Sequence, residues 1–239
     1  MSKVTPYNSS ESKKKQVSEM FDNIANSYDF LNHSLSLGMD NVWRKIAIKK
    51  LTNNPKIILD IATGTGDFAV SAAKYTDAKI TGIDISQGML NVGIEKVRKK
   101  NLNNRISLQL ADSESLPFND NTFDAITAGF GVRNFENLNK GLLEMKRVLN
   151  KDGIVVILEP STPKYFPLKQ LYKLYFHHVL PTIGAWISKD KSAYSYLPES
   201  VDAFPSGEKF IVELKNVGFR DCKHIPLTFG IVSLYIAIK

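Results

Sequence analysis

Strand-like and helix-like segments alternate through the middle of this 239-residue chain, and the alternation constrains the fold more than any other sequence feature. Apolar runs typical of buried strands cover Ile57–Ala62, Lys79–Ile85, Ile106–Ala111, Phe123–Ala128 and Gly153–Glu159. Helices are predicted between them at about residues 67–75, 87–100 and 137–149. Strands joined by helices form a parallel sheet covered on both faces, with right-handed connections. The sequence therefore predicts an α/β fold.

The segments on either side of this unit complete the predicted domain. Apolar residues recur at helical spacing in residues 13–31 and again in residues 43–51, which predicts two amphipathic helices before the sheet. A further helix is predicted near residues 207–216. The chain then ends in two strand-like runs, Phe219–Ile225 and Phe229–Ile238, whose short connection makes the last strand antiparallel. We expect residues 1–239 to form a single domain.

Composition limits the class of protein. An apolar share of 43% is ordinary for a globular core, and the single cysteine, Cys222, excludes a disulfide framework and a thiolate metal cluster. The sequence contains no run long enough to span a bilayer and no apolar signal segment near Met1, so a soluble, cytoplasmic protein is expected. The net charge of +7 favours an anionic partner, although the lysines are spread thinly along the chain.

A glycine loop, Gly64-Thr65-Gly66, lies between the first predicted strand and the helix that follows it. Such a turn brings backbone close to a ligand, and Asp84 at the end of the next strand is placed to bind ribose hydroxyls. The loop also fits the G-x-G-x-x-[GA] pattern of dinucleotide folds. Asp60, which we expect to point towards the pocket, would repel a pyrophosphate but suits a cationic cofactor. S-adenosylmethionine is therefore favoured over NAD(P), and a non-catalytic role of these acids as turn or capping residues stays open.

Polar groups follow the other predicted strands at the same edge of the sheet. Asp112 and Ser113 follow the third strand and could bind the amine and ring nitrogen of an adenine. Arg133 and Asn134 follow the fourth strand, and Glu159 ends the fifth. Because ligands collect at the carboxyl ends of parallel strands, this set predicts one binding site.

Two segments outside the strand and helix alternation are predicted to cover this site. Residues 28–43 combine helix breakers with apolar and aromatic side chains, as in a lid, so we assign residues 13–51 to an N-terminal helical lid. Residues 162–205 form a predicted helical insertion that is aromatic-rich and basic. That composition suits a lid for a large apolar substrate, an interfacial helix at a membrane surface, or simple packing on the domain. His177 and His178 are adjacent and so do not suggest a metal pair.

These motifs resemble the bacterial menaquinone/ubiquinone biosynthesis C-methyltransferases from about residue 15 to the C-terminus. The resemblance is carried by the segment from Tyr28 to Trp43, the Asp60–Asp67 loop, Leu116-Pro117-Phe118, Phe130-Gly131-Val132-Arg133-Asn134 and Glu159-Pro160-Ser161. It implies a class I S-adenosylmethionine-dependent methyltransferase fold with seven strands in the order 3-2-1-4-5-7-6 and an antiparallel last strand. The chain departs from the family pattern at three positions. Leu31 stands where Met is common, Asp40 where His is common, and Gly129 where some members have Ser.

The resemblance also implies methylation of a ring carbon of a demethylated polyprenyl quinol, with demethylmenaquinol favoured over a ubiquinone-pathway benzoquinol. The cofactor-binding residues are then Asp60, Gly64, Thr65, Gly66, Asp84, Asp112 and Ser113. Arg133 is the candidate for stabilising the quinol oxygen and Asn134 for orienting it, with Tyr28 and His33 ranked lower. The mechanism requires no metal.

The expected partners follow from that substrate. A polyprenyl quinol resides in a bilayer, so we expect peripheral contact with the inner face of the plasma membrane and no nucleic acid. The oligomeric state stays open, with a homodimer as one option. Three alternatives stay open at this point: methylation of another lipid or small molecule, an NAD(P)-dependent reductase, and an RNA-binding protein, which is suggested by the charge alone.

Overall fold

All seven predicted strands are present in the computed structural model, which describes residues 4–175 and 191–239. The strands are β1 (Ile57–Ile61), β2 (Lys79–Asp84), β3 (Ile106–Leu110), β4 (Phe123–Gly129), β5 (Leu149–Pro160), β6 (Arg220–Leu227) and β7 (Val232–Ile238). They form one sheet in the order β3-β2-β1-β4-β5-β7-β6. β7 pairs antiparallel with both β5 and β6, and the other pairs are parallel. The predicted topology is confirmed.

The helices of the described residues surround this sheet. They are α1 (Lys13–Leu35), α2 (Met39–Ile48), α3 (Asp67–Tyr75), α4 (Gln87–Lys99), α5 (Leu138–Val148), α6 (Leu168–Leu174), α7 (Lys191–Ala203) and α8 (Glu208–Asn216). Serine hydroxyls begin two of them by accepting backbone N–H groups, Ser12 for α1 and Ser86 for α4. The predicted helices between the strands differ from α3, α4 and α5 by at most one residue at each end.

Alternate side chains of the strands pack on the two faces of the sheet. One core includes Leu59 and Ile126 of the sheet with Phe210 and Leu214 of α8, all buried. The opposite core includes Ile58 with side chains of α2 and α3. β1 is buried on both faces, which is why its sequence is a continuous apolar run rather than an alternating one.

A third apolar cluster joins the N-terminal segment to the insertion. Val17, Met20 and Ile24 of α1 are buried together with Tyr172 of α6 and Tyr196 of α7. The predicted lid and the predicted insertion therefore pack on each other in the described structure.

The structure differs from the predicted N-terminal helices in their limits. α1 continues to Leu35, four residues beyond its predicted end, and α2 begins at Met39 instead of residue 43. The break is limited to a short turn in which Leu37 and Gly38 have positive φ angles of 52° and 75°. The polar residues before this turn do not break the helix, because its apolar side is buried in the third cluster. The second half of the aromatic stretch predicted at residues 164–187, residues 176–187, lies outside the described residues.

Candidate active site

The glycine loop takes a backbone conformation that its sequence permits. Gly64 and Gly66 have φ angles of 56° and 81°, a region that is costly for residues with a Cβ. The Gly64 N–H donates to Asp84 Oδ2 at 2.8 Å, and the Ser86 N–H donates to Asp84 Oδ1 at 2.9 Å. Asp84 thereby joins the ends of β1 and β2. Burial raises the pKa of its carboxyl above the ordinary value, although these N–H groups favour the ionised form.

A cavity of about 640 Å³, part of it open to solvent, lies at the carboxyl ends of β1 to β4. Its walls include Gly64, Asp84, Asp112 and Ser113, and its apolar surfaces include Ile85 and Met89; α1 contributes Lys14, Val17, Phe21 and Tyr28. These positions match four of the seven predicted cofactor residues. The cavity is closed on one side by α1, as a lid requires.

The residues of this cavity suit an adenosine. The Asp84 carboxylate at the end of β2 accepts the Gly64 N–H, and an acid at this place binds ribose hydroxyls. The apolar side chains of Ile85 and Met89 line the space between this acid and the end of β3. S-adenosylmethionine, with its ribose hydroxyls, adenine ring and cationic centre, therefore fits the residues present.

The end of β3 is held by α1. Lys14 Nζ donates to Asp112 Oδ2 at 2.6 Å and lies 3.4 Å from Glu114 Oε2. The Glu114 N–H donates to Asp112 Oδ1 at 2.8 Å. Both oxygens of Asp112 therefore already have protein donors, so the predicted contact of Asp112 with adenine would use its remaining lone pairs.

The turn after β4 carries Arg133 and Asn134 in a single 3-10 turn, Val132–Asn134. Gly131 lies so close to β1 that a Cβ there would be 2.4 Å from the Ala62 Cβ. Phe130 has a φ of 62°, a conformation that is unusual for a bulky residue and that occurs most often at functional sites. The turn therefore brings its side chains against the glycine loop at some cost in backbone strain.

Glu159, near the end of β5, holds the turn after β4 through hydrogen bonds. Its Oε1 accepts the N–H groups of Val132 and Arg133 at 2.6 and 3.3 Å, and its Oε2 accepts Arg133 Nη1 at 3.0 Å. Arg133 Nη1 also donates to the Phe130 carbonyl, and Nε donates to Ser200 Oγ. Glu159 is fully buried, and burial raises the pKa of its carboxyl while the guanidinium opposes that change. Among the described residues, Arg133 Nη2 has no acceptor.

A second, larger cavity adjoins the first and measures about 1720 Å³ when the solvent-open space at its mouth is included. Phe21, Tyr28 and Phe130 line both cavities. The rest of its wall is mainly apolar and aromatic, with Met20, Ile24, Trp43, Tyr172, Tyr175, Tyr196 and Ile231, and Arg133 is one of its few charged side chains. Its size and lining suit a large apolar molecule with one polar end.

Asn134 and Tyr28 lie where the two cavities meet. Asn134 lines the cofactor cavity, and its Oδ1 accepts the Tyr196 hydroxyl of α7 at 3.1 Å. Burial raises the pKa of Tyr196 to about 12, so this hydroxyl stays a donor at neutral pH. Burial is also the main cause that raises the pKa of Tyr28, against the opposing effect of Arg133.

Four predicted site residues line neither cavity: Asp60, Thr65, Gly66 and His33. Asp60 is fully buried, and its oxygens accept the hydroxyls of Thr63 and Thr127 at 2.5 and 2.6 Å, so the expectation that it points into the pocket is wrong. The Thr65 hydroxyl donates to Asp29 Oδ1 at 2.5 Å. His33 Nδ1 lies 2.7 Å from Asp40 Oδ2. The Thr65 contact therefore joins α1 to the glycine loop, and the His33 contact joins α1 to α2.

The prediction that no metal is needed stays a prediction. His33, Asp40 and Asp67 place atoms that could ligate a metal within 4.8 Å of one another. Arg44 of α2 is ion-paired with Asp40 there and lies 3.6 Å from Asp67 Oδ2. The guanidinium thus supplies positive charge to this cluster.

Sequence reasoning missed the contribution of α1 to the cofactor cavity. Lys14, Val17 and Phe21 were recognised only as parts of an amphipathic helix, and periodicity cannot tell which side of a helix covers a ligand. It also missed Lys96, whose Nζ lies 2.7 Å from Asp29 Oδ2 and 2.5 Å from Asp67 Oδ1. The run of basic residues in α4 did not distinguish Lys96 from its exposed neighbours.

The topology and the donor set define a class I S-adenosylmethionine-dependent methyltransferase. Solved structures agree on the fold. The [4+2]-cyclase SpnF has a TM-score of 0.68 with 17% identity, covering 95% of this chain and 96% of that chain. A Thermotoga maritima S-adenosylmethionine-dependent methyltransferase has a TM-score of 0.63 with 17% identity, covering 92% of this chain and 99% of that chain.

Residues 9–239 match the model of the ubiE/COQ5 methyltransferase family, and the chain belongs to that family. The demethylmenaquinone methyltransferase of Bacteroides fragilis is 52% identical, with 99% of this chain and 98% of that protein covered. The protein of the same name from Porphyromonas gingivalis is 44% identical, covering 99% and 98%. The ubiquinone/menaquinone biosynthesis C-methyltransferase UbiE of Geotalea daltonii is 48% identical, covering 95% and 97%.

The protein is thus an S-adenosylmethionine-dependent C-methyltransferase of menaquinone/ubiquinone biosynthesis. The family confirms the predicted cofactor and decides against a nicotinamide reductase. None of the described helices combines the length and the apolar character needed to cross a membrane.

Proposed function

We propose that the protein transfers a methyl group to a ring carbon of demethylmenaquinol and so forms menaquinol. The observation that carries this proposal is the large apolar cavity that shares Phe21, Tyr28 and Phe130 with the cofactor cavity. A naphthoquinol ring at that junction has its polyprenyl tail in the apolar cavity and its reacting carbon towards the cofactor. The names of the relatives in Bacteroides fragilis and Porphyromonas gingivalis support this substrate.

The cofactor would be held by the glycine loop, by Asp84 at the ribose, and by the Asp112 and Ser113 end of β3 at the adenine. When bound, S-adenosylmethionine supplies an electrophilic methyl group on a sulfonium centre. Asp60 would not touch the cofactor. Its carboxylate accepts the Thr63 and Thr127 hydroxyls and so fixes these two residues beneath the loop. Thr65 fixes the same loop through Asp29.

Arg133 is the group that we propose acts on the quinol. A ring carbon becomes more nucleophilic when a neighbouring hydroxyl gives up its proton to a solvent water, so a cation that stabilises the resulting oxygen lowers the barrier. Glu159, Phe130 and Ser200 hold three sides of the guanidinium, which leaves Nη2 for the oxygen or for a water on it. This fixed orientation avoids reorganisation at the moment of reaction.

Asn134 and Tyr28 complete the proposed positioning of the ring. Because Tyr196 donates to Asn134 Oδ1, the Asn134 amide is oriented with Nδ2 as its remaining donor. Tyr28 lines both cavities and keeps its proton at neutral pH, so it can donate a hydrogen bond but is a poor base. His33 lies outside both cavities and is therefore assigned to the lid.

We also propose that the protein works at the inner face of the plasma membrane as a peripheral protein. A polyprenyl tail partitions into the bilayer, so the substrate is delivered from a lipid surface. A homodimer and the absence of a nucleic-acid partner stay predictions.

The substrate proposal is tested with purified protein, S-adenosylmethionine and two acceptors side by side: reduced demethylmenaquinone and a reduced ubiquinone precursor. Mass spectrometry is expected to find a product heavier by one methyl group from the naphthoquinol. Methylation of the benzoquinol alone would reassign the substrate to the other branch, and no product from either would contradict the proposal. Arg133→Lys keeps the charge but loses the fork geometry, and we expect a kcat at least tenfold lower.

A further inference from the structure

We propose that the rim of the large apolar cavity is the surface with which the protein docks on an anionic lipid bilayer. This proposal rests on the proposed function, because it assumes that the substrate is a lipid. The docking rim is defined by three segments: the α1–α2 turn with Leu37, helix α6 with Leu168, Leu171 and Leu174, and the β6–β7 turn with Phe229.

The docking rim exposes large apolar side chains at the tips of turns. Leu37 is 90% exposed and Phe229 is 78% exposed. Both have positive φ angles, 52° and 57°, which place them in tight turns. Single exposed apolar residues are common on proteins, but a cluster around one cavity is typical of a binding surface.

Helix α6 has an apolar stripe on its solvent side. Leu171 and Leu174 are 58% and 59% exposed, and Leu168, three residues earlier, is also exposed. Tyr172 of the same helix is 9% exposed and lines the cavity together with Tyr175. The exposed part of the helix therefore carries three leucines beside Lys169 and Gln170, whereas a helix that faces water is mainly polar on its outer side.

Each of the three segments contributes a residue to the wall of the same cavity. Leu37 and Thr228 both line the cavity, and Phe229 follows Thr228 directly. Trp43 Nε1 donates to Thr228 Oγ1 at 2.7 Å, which ties α2 to the β6–β7 turn. The Ser161 hydroxyl donates to the Gly230 carbonyl at 2.8 Å, which ties the start of the insertion to the same turn. A molecule that covers the docking rim therefore also covers the cavity mouth.

The occupant that fits this position is a bilayer. Lys164 and Lys169 are exposed beside the apolar residues of the insertion, a combination that suits anionic headgroups above an apolar layer. A second copy of the chain on this face would close the mouth against an insoluble substrate. A bilayer buries the same apolar side chains and at the same time delivers the substrate into the cavity.

The test uses the full chain and vesicles of phosphatidylethanolamine with phosphatidylglycerol, with neutral phosphatidylcholine vesicles for comparison. Phe229→Asp and Leu171→Glu place a charge in the docking rim, and aspartate tolerates the positive φ at position 229. Leu143→Glu is the matched control, because Leu143 is 47% exposed on α5 and lines neither cavity. Co-sedimentation measures binding, and turnover is measured with a vesicle-embedded quinol and with a short-tailed, detergent-dispersed quinol.

We expect each rim variant to bind anionic vesicles about tenfold more weakly, since one large apolar side chain no longer enters the lipid. The control is expected to bind like the original protein. The rim variants should lose turnover of the embedded quinol and keep turnover of the dispersed one. Equal vesicle binding by all variants would overturn the docking proposal. A solution dimer that Phe229→Asp dissociates would overturn it in favour of a second copy. If the original protein binds vesicles but methylates neither quinol, the substrate proposal fails and the docking proposal stands.

Discussion

At the scale of single residues, the charges that the site depends on are buried and held by uncharged or paired groups. Asp60 is the clearest case, because it forms no ion pair with any residue that the structure describes; its two oxygens accept hydroxyls of Thr63 and Thr127. Burial raises the pKa of this carboxyl from 3.8 to about 6. Above that pH the ionised Asp60 lowers the free energy of unfolding, while its carboxylate fixes the hydroxyls beneath the glycine loop.

This cost predicts a pH dependence that Asp60→Asn removes. Because the folded pKa is the higher one, the stability contribution of Asp60 is fully present below the unfolded pKa and is lost as the pH rises through about 6. A difference of about 2 pKa units corresponds to about 3 kcal/mol. We expect the unfolding free energy of the original protein, relative to Asp60→Asn, to fall by most of that amount between pH 4 and pH 7.5. Urea denaturation at several pH values measures it, and parallel curves would contradict the interpretation.

Glu159 and Arg133 form the second buried arrangement, and here the charges compensate each other. Glu159→Gln keeps the shape of the side chain but leaves the guanidinium without its counter-charge, which costs about 3 kcal/mol of stability when a buried pair is broken. We also expect a kcat at least tenfold lower with a nearly unchanged KM for S-adenosylmethionine, because Arg133 lines the quinol cavity and not the cofactor cavity.

The matched control for this pair is Glu144→Gln. Glu144 pairs with Arg147 through two hydrogen bonds, at 2.7 and 2.8 Å, in a partly exposed position that lines neither cavity. Solvent screening limits such a pair to about 1 kcal/mol or less, and kcat should not change. Stability from chemical denaturation and steady-state kinetics separate the two roles. An equal loss of activity in both variants would mean that Glu159 acts on stability alone.

At the scale of elements, the sheet and its helices were predictable because their burial dictates their sequence pattern. Continuous apolar runs predicted β1 and β4, which are covered on both faces, and the three inter-strand helices were predicted to within a residue. The direction of individual side chains at the strand ends was not predictable. Asp60 and Asp84 both end apolar strands in the sequence, yet only Asp84 reaches the cofactor cavity. The difference comes from tertiary contacts. Asp60 accepts two threonine hydroxyls, whereas Asp84 accepts backbone N–H groups, and no local sequence pattern predicts which of these contacts an acid makes.

One ammonium group strengthens the attachment of the lid to the glycine loop. Lys96 Nζ of α4 contacts Asp29 of α1 at 2.7 Å, Asp67 of α3 at 2.5 Å and Thr65 Oγ1 at 3.0 Å. It therefore joins the lid, the loop and the start of α3. Without it, two carboxylates would face each other across the loop, and the lid would open more easily.

We expect Lys96→Met to raise the KM for S-adenosylmethionine and the dissociation rate of S-adenosylhomocysteine about fivefold, since lost charge-assisted hydrogen bonds contribute on the order of 1 kcal/mol here. The KM for the quinol should change less. Lys99→Met, an exposed position of the same helix, is the control and should leave both constants unchanged. Stopped-flow displacement of S-adenosylhomocysteine measures the rate, and equal rates in the two variants would exclude the proposed role of Lys96.

At the scale of the whole molecule, α1 is a wall of both cavities. Lys14 and Val17 line the cofactor cavity, Ile24 lines the quinol cavity, and Phe21 and Tyr28 line both. The same helix packs against Tyr172 and Tyr196 of the insertion. A ligand that fixes α1 from one side therefore orders part of the other site, and this gives a physical route for coupling between the two ligands.

This arrangement predicts that cofactor and quinol bind cooperatively. Saturating S-adenosylhomocysteine should tighten the binding of demethylmenaquinol at least fivefold, and demethylmenaquinol should tighten S-adenosylhomocysteine by the same factor, because coupling free energies are reciprocal. Calorimetric titration of each ligand in the presence and absence of the other measures both factors. Tyr28→Phe removes only a hydroxyl and should keep the coupling, whereas Phe21→Ala removes a wall that both cavities share and should weaken it. Independent binding of the two ligands would show that α1 is a rigid wall and that its position does not respond to either ligand.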